Sequence, residues 1–262
     1  MDRVRDRFWI WGHESGSHDH GYDIAATSRM TPAEGALYLD VPNMIMVRYE
    51  DRPEPPYEQY ARTFRPLDQF VWSIVGAGGA ADSEEIRYTR QLAEAHPNMS
   101  GVVMDDFFRD DPTGVAVHDA ASLRSIREGL TVDGRKLDLW VVLYQHQMEL
   151  DIGAHLSLCD VVTYWTWRAE LLDQLEQDFS RFESLAGDKR KLLGCYMYDY
   201  GAKKTISVGD MERQCVQGLK WLQEGRIEGM IFLASCICDL DLEAVEWTRE
   251  WIQSVKDIEL QG

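Results

Sequence analysis

Asp105 and Asp106 stand side by side after the apolar run Val102-Val103-Met104 and before Phe107 and Phe108. A carboxylic acid set among aromatic rings and beside a second carboxylate has a raised pKa and can donate a proton at neutral pH. A single aspartate at the end of an apolar run reads equally well as a helix cap or as the partner of a cation such as Arg109. A doublet needs more. Successive strand residues point to opposite faces, so one of the two is expected to face inward, where a charge without a task costs desolvation. Asp106 lies further along the chain toward the strand's rim and is the expected acid. A third aspartate, Asp199, sits in the stretch YMYDYG at 196–201. Tyr196, Tyr198 and Tyr200 share one parity there, and are expected to form a hydroxylated wall or to pack beneath a helix. The helix that follows is expected to start at Gly209–Asp210, too far along for Asp199 to cap it.

Other polar groups gather at comparable places. The segment GHESGSHDHGYD at 12–23 holds His13, Glu14, His18, Asp19, His20 and Asp23. Such a set can bind a divalent ion, but it lacks the H-x-x-x-H spacing of a helical site, and its composition is that of a flexible loop. His18-Asp19-His20 is read as solvated. Glu14, at the end of the first apolar run, is the better candidate for substrate binding. His146 follows Tyr144 by two residues and shares its face. The stretch GAGGAAD at 76–82 is read as a tight turn, because a short glycine cluster alone is weak evidence for a phosphate cradle. Cys236-Ile237-Cys238 has no second cysteine pair to complete a zinc set and is read as core.

The elements that must position these groups follow from the hydrophobic pattern. Eight apolar runs begin at 7, 43, 70, 100, 137, 160, 192 and 228, and they are continuous rather than alternating, as expected of parallel strands covered by helices. Between them lie amphipathic segments, such as Leu171, Leu172, Leu175, Phe179 and Phe182 on one face. The stretch TPAE at 31–34 has a capping box, with Thr31 as N-cap, Pro32 at the first helical position and Glu34 at the third. Eight strand–helix repeats over 1–262, with no linker and no glycine-rich turn after the first strand, predict one (β/α)8 barrel domain. In such barrels the chemistry lies at the C-terminal strand ends. Here those ends carry His13 and Glu14, Arg48 and Tyr49, Asp105 and Asp106, Tyr144 and His146, Trp165 and Trp167, and Tyr198 and Asp199.

A formal net charge of −18 disfavours a nucleic-acid partner, since phosphate backbones are repelled. Nine Trp, eleven Tyr and eight Phe suit a large core and also a carbohydrate site, where flat rings stack on sugar faces. No run approaches the roughly 18 apolar residues of a membrane span, and the start has no signal-like apolar region, so a cytoplasmic protein is expected. The five cysteines form an odd set without a disulfide spacing and are expected to be reduced.

Taken together, the strand-end residues resemble those of glycoside-hydrolase-type TIM barrels. In the retaining clan of that fold an acid/base carboxylate ends the fourth strand and a nucleophilic carboxylate ends the seventh. The resemblance implies Asp105 or Asp106 for the first role and Asp199 for the second. This chain departs from the clan in using aspartates rather than glutamates, with Met104 where the clan has Asn before the acid. Trp165 and Trp167 resemble sugar-stacking platforms, with Trp11 and Trp72 as further contributors. His13, Glu14, Arg48, Tyr144, His146 and Tyr198 are the expected binding residues around them. The implied activity is hydrolysis of a glycosidic bond in a small carbohydrate, without a cofactor. One alternative is a metal-dependent sugar isomerase, epimerase or lyase, in which Glu14, Asp105 or Asp106, His146 and Asp199 converge on Mg, Mn or Zn. A second is a barrel that binds carbohydrate without catalysis.

Overall fold

A computed structural model describes residues 2–76, 79–111 and 114–260. Eight parallel strands form a closed barrel: β1 (Phe8–Gly12), β2 (Asn43–Met46), β3 (Gln69–Ser73), β4 (Met99–Met104), β5 (Asp138–Tyr144), β6 (Val161–Trp165), β7 (Arg190–Tyr196) and β8 (Gly229–Leu233). Each pairs with its neighbours in the chain, and β8 closes on β1 with Leu233 beside Trp11. The outer layer is α1 (Pro32–Leu39), α2 (Tyr57–Tyr60), α3 (Ser83–Ala95), α4 (Ala120–Gly129), α5 (Gly153–Leu156), α6 (Leu175–Ala186), α7 (Val208–Gln223) and α8 (Glu243–Val255). The chain is therefore a (β/α)8 barrel, as the repeat count predicts.

Local chemistry sets the helix starts. Thr31 Oγ1 accepts from the Glu34 amide while Glu34 Oε2 accepts from the Thr31 amide at 2.8 Å, which is the capping box read from the sequence. Asp82, Asp119 and Ser207 cap α3, α4 and α7 by accepting the amides of Glu85, Ser122 and Asp210. Ser207 thus starts α7 slightly earlier than expected. Of the turn at 76–82, Ala77 and Gly78 lie outside the described residues. All five cysteines are free and buried, Cys236 and Cys238 included. Among the described residues no helix is long and apolar enough to cross a membrane.

The barrel interior is filled by indoles. Trp9 and Trp140 meet with ring centroids 4.9 Å apart, and above them Trp11 and Trp165 meet at 5.1 Å. Glycines on facing strands make the room. A Cβ on Gly101 would lie 2.9 Å from Trp140 Nε1, one on Gly229 would lie 3.2 Å from Trp9 Cδ1, and one on Gly194 would overlap the Trp165 ring. The upper pair of indoles is therefore the floor of the barrel mouth. We expect Gly194→Ala to lower the unfolding free energy by about 2 kcal/mol through overpacking. Gly129→Ala, where a Cβ meets nothing within 4 Å, should not. Urea unfolding of the two variants checks this.

Candidate active site

β4 ends at Met104, earlier than the apolar run 100–108 suggests. Inward parity along it runs Gly101, Val103, Asp105. Asp106 takes a left-handed backbone conformation with φ +49°, and Phe108 opens a short antiparallel hairpin, Phe108–Asp111 with Gly114–Ala116. That turn overrides strand alternation. Instead of pointing to opposite faces, both carboxylates open on the mouth.

One hydroxyl holds them together. Tyr144, the last residue of β5, has its Oη 3.3 Å from Asp105 Oδ1 and 3.3 Å from Asp106 Oδ1. The Asp106 amide also donates to Asp105 Oδ1 at 3.0 Å. A phenol has one proton and can donate to one carboxylate at a time. A proton on the other carboxyl lets it donate back to Oη, so a singly protonated pair satisfies both contacts. The electrostatics agree: burial and the charge of Asp106 push Asp105 up to about 8, and burial raises Asp106 as well. Tyr144, half-buried and facing both acids, is raised well above an ordinary phenol and stays protonated.

Around the pair, the mouth is lined by Trp11, His13, His18, Tyr22, Tyr49, Tyr144, Trp167, Tyr196, Tyr200 and Leu233. His13 Nε2 accepts from the Trp11 indole N–H at 3.0 Å, so its proton is on Nδ1, which faces the Val47 carbonyl at 3.1 Å. Burial holds His13 at about 4, and burial with the neighbouring His13 lowers His18 further, so both rings are neutral. His18 Nδ1 pairs with Tyr200 Oη at 3.0 Å. Tyr198 faces this wall from behind, donating to the Tyr22 carbonyl at 2.9 Å. A second hollow meets the first at the acid pair and is lined by Val47, Arg48, Tyr49, Glu50, Ser73, Val75 and Gly76.

The segment after β1 is not a loose loop. Asp239 accepts from Ser28 Oγ at 2.6 Å and from the amides of Arg29 and Met30, while Asp19 accepts from the Ser28 amide at 2.9 Å. This network presses His18 and Tyr22 into the mouth, and His18 is buried rather than solvated. Short hydrogen bonds, invisible to composition, outweigh the glycines and serines there.

Several expected site residues lie elsewhere. Asp199 borders a separate outer pocket with Glu170, Asp173 and Lys204, and its carboxylate accepts from the amides of Ala169 and Ala202 at 3.3 and 2.9 Å. Its role here is to hold two loops, because the chain turns back at Asp199 to bridge Lys204. The Arg48 guanidinium points outward to Glu85 Oε2 at 2.6 Å and is further tied to the Asp51 and Pro53 carbonyls. Trp165 is the floor, its N–H given to Thr163 Oγ1 at 2.8 Å, whereas Trp167 stands in the wall, edge-on to Tyr144 and Tyr196. Trp72 packs outside the barrel against Tyr57. Glu14 borders neither hollow at the acid pair. His146 is exposed and stacks on the back of Tyr144 with the rings 9° from parallel. The ligand set Glu14, Asp105 or Asp106, His146 and Asp199 does not converge, and among the described residues no three His, Cys, Asp or Glu side chains are grouped to hold a metal ion.

No protein-family model matches this sequence, and no curated protein sequence matches it significantly. Solved structures do match in fold. An α-L-fucosidase candidate from Bacteroides thetaiotaomicron superposes with a TM-score of 0.61 at 10% identity, over 99% of this chain and 98% of that one. A glycoside hydrolase family 5 enzyme from Prevotella bryantii, solved with a xyloglucan tetradecasaccharide, gives 0.56 at 10% identity over 97% of each chain. A 2-pyrone-4,6-dicarboxylic acid hydrolase assignment from Acinetobacter baumannii gives 0.56 at 12% identity over 96% and 93%. The likeness establishes the barrel fold alone. Its members cut different bonds, so the fold alone does not choose the reaction.

The raised Asp105 pKa has a consequence for stability. The folded chain holds a proton here that the unfolded chain releases near pH 4. This group therefore favours folding below that pH, and its contribution is lost as the pH rises to about 8. Asp105→Asn should flatten that fall. The urea midpoint of the variant is expected to drop less between pH 5 and pH 9 than that of the parent.

Proposed function

We propose that this chain is a glycoside hydrolase acting on a small carbohydrate, with the Asp105–Tyr144–Asp106 group as its proton-donating centre. The observation that carries the reading is one phenol bonding two carboxylates at the meeting point of two hollows. Breaking a glycosidic bond needs a proton delivered to the leaving oxygen, and a carboxylic acid that keeps its proton near pH 7 supplies it. Asp106, open to the mouth, is placed to protonate the leaving group. Asp105, deeper and fixed by the Asp106 amide, carries the pair's negative charge while Asp106 holds the proton. Tyr144 keeps the two carboxyls in register and lets the proton sit on either.

The aromatic hollow suits the sugar that is cleaved. Trp11 and Trp167 offer ring faces and edges to its apolar side, while the hydroxyls of Tyr22, Tyr49 and Tyr196 can bond its substituents. The more polar hollow beside Arg48, Tyr49 and Glu50 suits the leaving group. The deep acidity of the chain as a whole fits a neutral or cationic substrate better than a phosphorylated one.

The test is leaving-group dependence. Asp106→Asn is expected to lower kcat/KM by roughly 10²-fold or more on a glycoside with a poor leaving group. On a dinitrophenyl glycoside, which departs without protonation, the loss should be much smaller. Asp199→Asn should leave kcat/KM near the parent value for both. Equal losses on both substrates in Asp106→Asn would remove Asp106 from the acid role.

A further inference from the structure

A glycosidase that keeps or inverts configuration with its own groups needs a second functional group across the anomeric carbon from the acid. In the aromatic hollow, the wall facing Asp105 and Asp106 is built from His13, His18, Tyr22, Tyr196, Tyr200 and Leu233. Among the described residues no carboxylate borders this hollow except the acid pair itself. Asp199 is turned away, holding the Ala169 and Ala202 amides. Among the described residues, Glu50 is the further carboxylate that borders the other hollow, the leaving-group side, and it is exposed.

The remaining groups of the wall are poor substitutes. His13 has its Nε2 taken by the Trp11 indole, and His18 has its Nδ1 taken by Tyr200. Burial lowers both rings far enough to make them weak bases. Burial also raises the phenols of Tyr22, Tyr196 and Tyr200, so none is a ready nucleophile. The protein thus presents two carboxyls on one side of the sugar and a neutral wall on the other.

We infer that the nucleophile comes with the substrate: the chain acts on 2-acetamido-2-deoxy glycosides, whose own acetamido oxygen attacks the anomeric carbon. This rests on the glycosidase reading above. Two carboxyls held by one phenol match two vicinal atoms of such a sugar, the leaving oxygen on C1 and the nitrogen on C2. In the first step the acetamido oxygen forms a bond to C1. The C1–oxygen bond to the leaving group breaks, its electron pair stays on that oxygen, and the Asp106 proton joins it. With the pair's single proton passed through Tyr144 to Asp106, Asp105 is left as the carboxylate that accepts the acetamido N–H and stabilises the cationic oxazolinium ring that results. In the second step water attacks C1 and gives its proton to Asp106. The electron pair of the C1–oxazoline bond returns to the acetamido oxygen, and the configuration is retained. Trp11, Tyr196 and Leu233 provide an apolar seat for the acetyl methyl.

The experiment uses the intact chain with paired nitrophenyl glycosides, α and β, gluco and galacto, carrying either a 2-hydroxyl or a 2-acetamido group. Turnover of an acetamido sugar only is expected, with kcat/KM falling as fluorines replace the acetyl hydrogens and weaken the oxygen nucleophile. The thiazoline analogue of the same sugar should inhibit competitively. Asp105→Asn should lose roughly 10²-fold or more whatever the leaving group, whereas Glu50→Gln should lose little. Turnover of 2-hydroxy glycosides at comparable rates, or indifference to fluorination, overturns the inference and leaves the glycosidase reading standing. So does a 2-fluoro glycoside trapped covalently on Glu50 or Asp199. No turnover of any glycoside in the panel overturns both.

Discussion

Two carboxylates within reach of one phenol repel each other when both are charged, and the rest of the mouth is arranged around that constraint. Like charges at this range in a low dielectric repel strongly. The pair resolves the conflict by keeping one proton, and Tyr144 makes that state the best hydrogen-bonded one. Among the described residues that line the aromatic hollow, none adds a countercharge. His13 and His18 are neutral, and Arg48, the nearest guanidinium in the β2 segment, is spent on Glu85 outside the barrel. A cation at the mouth would have drawn the proton off the pair.

The floor has the same logic in steric form. Indoles from β1, β5 and β6 fill the barrel to a fixed height, and glycines on β4, β7 and β8 give them room. Whatever enters the mouth therefore stops level with Trp11 and Asp105. The barrel is a packed core with a shallow, aromatic dish on top, not a channel.

Much of this was legible in the sequence, and the exceptions have physical causes. Eight apolar runs and their spacing were enough for the barrel, because parallel strands buried on both faces leave a strong signal. The Asp105–Asp106 doublet was expected at the barrel mouth, and both side chains border it beside Tyr144. The left-handed turn at Asp106, which brings both acids to one side, leaves no trace in composition, and strand parity led the other way. Asp199 read as a mouth residue because it follows an apolar run, yet the chain folds back there and spends the carboxylate on backbone amides. Trp165 was placed on the correct strand but below the surface, since alternation says which face a ring is on and not how deep it sits. His18 was lost for another reason. It is packed against Tyr49 and bonded to Tyr200, far along the chain, and no local pattern reports such contacts.

The long-range clasp at Asp239 also ties the site to the order in which the chain is made. Asp239 follows β8 and secures the segment after β1, so the first and last strands of the barrel are stitched together at the mouth. A nascent chain that has emerged only as far as β7 already contains both acids, Tyr144 and most of the aromatic wall. It lacks the anchor that presses His18 and Tyr22 into place. The acid pair and the wall around it thus become complete in one event, closure of the ring, and unfinished chains carry these residues without their enclosure.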